Sequence, residues 1–200
     1  MKFLFAIVLG AALLLGLTGS RPASAAIIYQ NMNTYVLTGT SNVPIGNYGM
    51  SSANATFVVN ASADWATNAS VAAMLFNTAG GLNGPDLYFV SSNCGAARAM
   101  WNTYDGCANV MGLLPANAND GNLHTWAVVD NSATNSASLY FDGTLLGSGA
   151  YVAPQNNLTI GGDAFNFNWI GTISGFTVYD VALTSAEIAD LQTSAPEPSA

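Results

Sequence analysis

The stretch His124-Thr125-Trp126-Ala127-Val128-Val129-Asp130 decides the fold, because its side chains alternate: His124, Trp126 and Val128 share one face, and Thr125, Ala127 and Val129 share the other. A half-buried strand follows from that period. Downstream, Ser138 to Asp142 repeats it, with Leu139 and Phe141 opposed to Tyr140. Asp142-Gly143 then turns the chain back into Thr144-Leu145-Leu146, since both residues tolerate positive φ. Leu158-Thr159-Ile160 is a short strand that stops at Gly161-Gly162-Asp163, and Trp169 to Tyr179 is a long one in which Gly171 and Gly175 mark bulges or close backbone approach. A helix signal comes only after these. Thr184 with Glu187 forms a capping box, and Ile188 and Leu191 supply one apolar stripe, which predicts a short helix over Ala186 to Gln192.

Upstream the same grammar continues more loosely. Thr56-Phe57-Val58-Val59 and Leu87-Tyr88-Phe89-Val90 read as strands, and Val71 to Phe76 reads as a strand into the turn Asn77-Thr78-Ala79-Gly80-Gly81 rather than a helical turn. Val110 to Leu114 leads to the turn Asn119-Asp120-Gly121. Short strands separated by Gly, Asn, Asp and Pro are the pattern of a sandwich. The expectation is an all-β antiparallel sandwich of jelly-roll type with one short C-terminal helix.

The N-terminus does not belong to it. Lys2, the apolar run Phe3 to Leu17, too short for the ~20 residues of a spanning helix, and Ala23-Ser24-Ala25 read as a secretory signal peptide over 1–25. Residues 26–193 then form one domain and 194–200 a tail, with a secreted or envelope-associated location and no membrane span in the mature chain. Of three basic residues only Arg98 survives cleavage, against 11 acids. A phosphate-backbone partner needs clustered Lys and Arg, so nucleic acid is excluded. Cys94 and Cys107 lie in an exported chain and are expected to pair, two free thiols being the alternative. The stretch they bound, Gly95 to Gly106, is read as a loop.

The order of motifs from His124 to Leu191, a His-led alternating strand, Tyr140-Phe141-Asp142-Gly143, Ile160-Gly161, Gly171-Thr172-Ile173 running to Tyr179, and Leu183-Thr184 with Glu187-Ile188 and Leu191, resembles the concanavalin A-like, laminin G-like jelly-roll family. The resemblance covers about a third of the chain closely and consists of packing features, so it specifies fold better than function. Ala195-Pro196-Glu197-Pro198-Ser199-Ala200 resembles the opening of a PEP-CTERM sorting signal, which implies delivery to the envelope or extracellular matrix.

The related glucanases use a Glu-x-Asp-x-Glu strand. Here Glu187 stands on the terminal helix and Glu197 in the tail, and no two Asp share a strand at i, i+2 or i, i+4, so a glycan hydrolase is the least favoured reading. His124 has no G-x-S-x-G partner and reads as structural. The expected function is a non-catalytic binding module for a glycan or an extracellular protein, or else a structural surface protein with no dedicated ligand. Loop aromatics with amide neighbours, Trp101, Asn102, Tyr104, Asn166, Asn168 and Trp169, are the candidate ligand contacts. Calcium is the candidate cofactor, because Asp86, Asp105, Asp120 and Asp163 all fall in expected loops and laminin G-like domains often bind calcium at a sheet rim.

Overall fold

The computed structural model describes residues 25–50, 52–64, 73–80, 85–90, 98–102, 110–164 and 166–193. In chain order the elements are β1 (Ile27–Thr38), β2 (Val43–Gly46), β3 (Ala55–Ala61), β4 (Ala73–Asn77), β5 (Asp86–Val90), β6 (Arg98–Asn102), β7 (Val110–Leu113), β8 (His124–Asn131), β9 (Ser136–Phe141), β10 (Thr144–Ala150), β11 (Leu158–Ile160), β12 (Ile170–Tyr179) and α1 (Ser185–Thr193). They build two six-stranded antiparallel sheets, ordered β1-β12-β3-β8-β9-β10 and β2-β11-β4-β5-β6-β7. The sandwich and its closing helix are as the sequence leads one to expect.

The inward stripes of the two sheets make the core. Trp126 and Val128 of β8, Leu139 and Phe141 of β9, and Ile173, Phe176 and Val178 of β12 face Leu75, Phe76, Phe89 and Trp101 of the second sheet. Aromatic rings bridge the layers: Phe89 lies 4.8 Å from Trp126, Phe76 5.0 Å from Phe176, and Phe57 5.5 Å from Trp101. The outward stripe of β8, Ala127 and Val129, does not meet water. Helix α1 covers it with Ile188, together with Leu183 and Tyr140, and burying an isoleucine of this kind contributes about 1.5–3 kcal/mol. The capping box holds α1 in register, with the Thr184 N–H donating to Glu187 Oε2 at 2.7 Å and the Glu187 N–H to Thr184 Oγ1 at 3.3 Å.

The predicted punctuation has its physical basis here. Asp142 and Gly143 take φ of 45° and 75° in the β9–β10 turn. At Gly171, φ is +135° and a Cβ would stand 2.1 Å from the Ser62 carbonyl oxygen, so only glycine admits that approach of β12 to the end of β3.

Three expectations need correction. The strands β1 and β2 were not anticipated, because the polar Asn- and Thr-containing run Ile27–Thr38 lacks apolar alternation. The stretch between the cysteines is not simply a loop: Arg98–Asn102 is strand β6, paired with β5 and β7. Asp86 is not in a loop but opens β5. Cys94, Cys107, Tyr104, Asp105, the signal peptide and the tail 194–200 lie outside the described residues. No helix among the described residues is long and apolar enough to cross a membrane.

Candidate functional site

The second sheet carries a row of polar residues across its outer face. A bulge between Met74 and Phe76 of β4 leaves Leu75 and Phe76 both in the core and brings Asn77 to the other side. Thr159 of β11, Asn77 of β4 and Asp86 of β5 are thus successive cross-strand partners, with Asn102 of β6 next in register. Asn77 and Asp86 are buried, at 0% and 1% exposure.

Asp163 joins this row from the loop after β11. Its Oδ1 accepts the Phe167 N–H at 2.9 Å, and its carbonyl accepts Asn42 Nδ2 at 2.9 Å. The approach depends on the glycines before it: at Gly162, φ is +155° and a Cβ would stand 2.1 Å from Asn168 Oδ1. Asp163 is itself buried, at 4%. Burial, then the Asp163 charge, push the Asp86 carboxyl well above its ordinary range, and a hydrogen bond from the Asn77 side chain only partly offsets them. Asp86 Oδ1 and Asn168 Oδ1 are buried without a hydrogen-bond partner.

These side chains offer oxygen, the donor type that calcium, the cofactor the resemblance implies, takes. Asp86 and Asp163 would supply the charge and orphaned amide and loop carbonyl oxygens the remainder, since no group of three or more His, Cys, Asp or Glu gathers among the described residues. Of the four aspartates considered in sequence, Asp86 and Asp163 are both buried and the Asp163 charge acts on Asp86, whereas Asp120 is turned to His124 at 3.1 Å. Spacing along one strand could not show this pair, because one member opens β5 and the other follows β11. Both are shut away from a polysaccharide.

The candidate ligand contacts are dispersed. Trp101 is a core residue at 0% exposure, its ring 5.5 Å from Phe57 and from Phe76. Trp169, at 1%, packs 5.1 Å from Phe89 and donates its indole N–H to the Ser62 carbonyl at 2.9 Å. Neither tryptophan stands in an exposed loop, since each fills the gap between sheets where a large ring gains most. Asn168 is buried and donates to the Gly39 carbonyl at 3.3 Å. Asn166 is exposed at the tip of the same loop, with φ of 68°. Asn102 lies in β6.

Asp130 is a residue that sequence reasoning passed over. It continues the inward stripe of Trp126 and Val128 and is fully buried, with neither carboxylate oxygen hydrogen-bonded. Burial raises it to about 7, tempered by the Val152 backbone N–H and the Trp101 indole N–H, which face it without reaching hydrogen-bond geometry. The signal was an acid in an otherwise apolar stripe. A surface cleft of about 290 Å³ opens beside the β9–β10 hairpin, lined by Pro115, Asn117, Phe141, Asp142, Thr144 and Leu146.

A two-sheet antiparallel sandwich closed by one short helix is an architecture of the jelly-roll type. Residues 30–189 match the family model described as the concanavalin A-like lectin/glucanases superfamily, and the chain belongs to that family. Among solved structures it is similar to the CBM40 of the Ruminococcus gnavus IT-sialidase bound to α2,3-sialyllactose, at 14% identity over 84% of this chain and 100% of that one, with a TM-score of 0.60. It is similar also to domain 4 of AbnA, a GH43 extracellular arabinanase from Geobacillus stearothermophilus in complex with arabinotriose, at 15% identity over 84% and 81%, TM-score 0.57. The native heptameric SAP-like pentraxin from Limulus polyphemus is a third, at 14% identity over 80% and 81%, TM-score 0.61. No curated protein matches the chain. At such identities the likeness is one of fold.

Proposed function

We propose that the chain is an exported, non-catalytic module that binds a glycan at the cell envelope or in the extracellular matrix. One observation carries this reading: solved sandwiches of the same fold include modules holding sialyllactose and arabinotriose, while the carboxylates Asp86 and Asp163 are buried at 1% and 4% and so are withheld from hydrolysis. The rim formed by the loop after β11 is the recognising surface, with Asn166 exposed at its tip. Calcium between Asp86 and Asp163 would tie this loop to β5 and fix its backbone before a sugar arrives, which lowers the ordering cost of binding. The test is a glycan array probed with the purified chain in calcium and in chelator. Binding to a defined glycan class, without release of reducing sugar, supports the proposal; no binding in either condition, or sugar release, overturns it.

A further inference from the structure

The cleft of about 290 Å³ beside the β9–β10 hairpin lies apart from the row of buried acids. It opens at the same end of the sandwich as the loop after β11, as the strand registers require. Ala61, the last residue of β3, pairs with His124 at the start of β8 and with Ile173 near the start of β12, while Trp126 pairs with Phe141, the last residue of β9. From β12 to β9 is three strand steps, about 14 Å at ~4.8 Å each, a distance that a short oligosaccharide spans. The cleft itself is near the lower end of the ~300–1,000 Å³ usual for ligand sites. That size suits one terminal unit of a chain.

Its walls are held in place by the fold. Phe141 packs its ring 4.7 Å from His124 and 4.6 Å from Trp126, and β7 is seated so tightly on β10 that a Cβ on Gly112 would stand 2.5 Å from Leu146 Cβ. Asp142 is the most constrained of the lining residues. Its Oδ2 meets His124 Nδ1 at 2.7 Å and its Oδ1 accepts the Thr125 N–H at 2.9 Å. Beside it, Gly143 lies so close to α1 that a Cβ would stand 3.3 Å from Ala189 Cα. The Asp142 side chain is nonetheless 38% exposed. An ionised carboxylate offers about two acceptor sites on each oxygen, so each oxygen of Asp142 keeps room for a donor from outside. A rigid acceptor of this kind binds at a low ordering cost.

We infer that this cleft is a sugar subsite for an uncharged glycan, whose hydroxyls donate to Asp142 and bond with Asn117 and Thr144; the inference rests on the glycan-binding reading above and gives it a place and a ligand class. Mixed polarity selects a sugar. Pro115 and Leu146 offer apolar surface to its C–H face, whereas a wholly apolar ligand would cover the Asp142 carboxylate without supplying a donor. Charge then selects among sugars. A carboxylate or sulfate on the glycan needs Arg or Lys, and neither lines the cleft. The chain has 3 basic residues, Lys2, Arg21 and Arg98, of which only Arg98 is described, on β6 of the other sheet. His124, the one histidine, is already held between Asp142 and Asp120. An acidic sugar would bring its charge against Asp142 with nothing to offset it. A bare calcium ion is no better served, because one carboxylate already bonded through both oxygens falls far short of the ~6–8 oxygen ligands it takes.

The test is a panel of immobilised oligosaccharides in which uncharged chains stand beside their sialylated, uronic-acid and sulfated counterparts, probed with the purified full chain in calcium. Uncharged members should bind, and an acidic group on the terminal unit should weaken binding roughly tenfold or more. Asn117→Ala and Thr144→Val, both at exposed positions, should each weaken the tightest uncharged member roughly tenfold with an unchanged melting temperature. A preference for acidic members, or two variants that bind as the parent does, overturns the subsite and leaves the glycan-binding reading standing. No binding to any member overturns both.

Discussion

His124 carries a carboxylate on each ring nitrogen, with Nδ1 2.7 Å from Asp142 Oδ2 and Nε2 3.1 Å from Asp120 Oδ1. Its ring also lies 4.7 Å from Phe141, so one side chain ties the turn before β8 to the β9–β10 hairpin. Asp142 is fixed further by the Thr125 N–H at 2.9 Å on its other oxygen. Ordinarily burial would depress a histidine, and burial is the largest single influence here, but the hydrogen bonds and charges of Asp142 and Asp120 together outweigh it and raise the imidazole above 6.5.

A raised histidine stabilises the folded chain fully below its unfolded value of about 6.5 and loses that contribution as pH climbs through the folded value. Thermal melts between pH 5.5 and 8.5 should therefore show stability falling with pH. His124→Gln should lower stability by about 1–2 kcal/mol at pH 5.5, since it strands a hydrogen-bonded carboxylate, and should flatten that part of the slope. Asp120 opposes this trend only in strong acid: its Asn122 hydrogen bond and then His124 hold it down to about 2, so its contribution is present above about 4 and fades towards 2.

Asp130 bends the pH profile the same way for a different reason. Burial lifts it from 3.8 to about 7, so the folded state favours the protonated form and stability declines as pH rises from about 4 to about 7. Asp130→Asn keeps the shape and removes the charge. It should stabilise the chain at pH 8.5 by roughly 2–4 kcal/mol and change little at pH 4, read from urea midpoints at the two pH values. A variant less stable than the parent at pH 8.5 would show that the charged form is satisfied.

Calcium should raise the melting temperature at millimolar concentration, because a ligand held a hundredfold below its working concentration adds about 2.7 kcal/mol. Asp163→Asn and Asp86→Asn should each abolish the rise. Without calcium, Asp86→Asn should be stabilising at neutral pH, since the acid it replaces is pushed up by burial and by Asp163. Isothermal calorimetry on the parent chain, with no heat on adding calcium, would remove the ion from the account.

Much of the second half of the fold could be read from the amino acids because its elements obey local rules: β8 and β9 alternate and send one stripe each into the core, Asp142-Gly143 accepts positive φ, and Thr184 caps α1; that β8 is covered by α1 on its second face as well, rather than half-buried, is set by tertiary packing. The first half was harder to read. Strand β1 is an edge that mixes Asn, Gln and Thr with exposed Met32 and Val36, so no hydrophobic period marks it. Strand β6 sits between two cysteines, in a stretch whose sequence reads as loop. The candidate site was the least accessible, since Thr159, Asn77 and Asp86 are distant in the chain and are aligned only through the pairing of β11, β4 and β5. Trp101 and Trp169 sit beside amides that read as loop, yet Trp101 lies on the inward side of β6 and Trp169, next to the buried Asn168, packs between the sheets just before β12.

Those two tryptophans supply the last prediction. Trp101 packs between Phe57 and Phe76, and Trp169 against Phe89 with its N–H bonded to the Ser62 carbonyl. Truncating either to alanine leaves a cavity that a packed sandwich cannot close, at a cost of about 3–5 kcal/mol. Trp169→Ala should lie at the upper end because it also removes the hydrogen bond to the half-buried Ser62 carbonyl. Trp169→Phe separates the two contributions: it keeps most of the ring volume and should recover most of the loss. Chemical denaturation measures all three. If Trp101→Ala or Trp169→Ala left stability within about 1 kcal/mol of the parent while glycan binding vanished, the ring would be a ligand contact and the core would have to be redrawn around it.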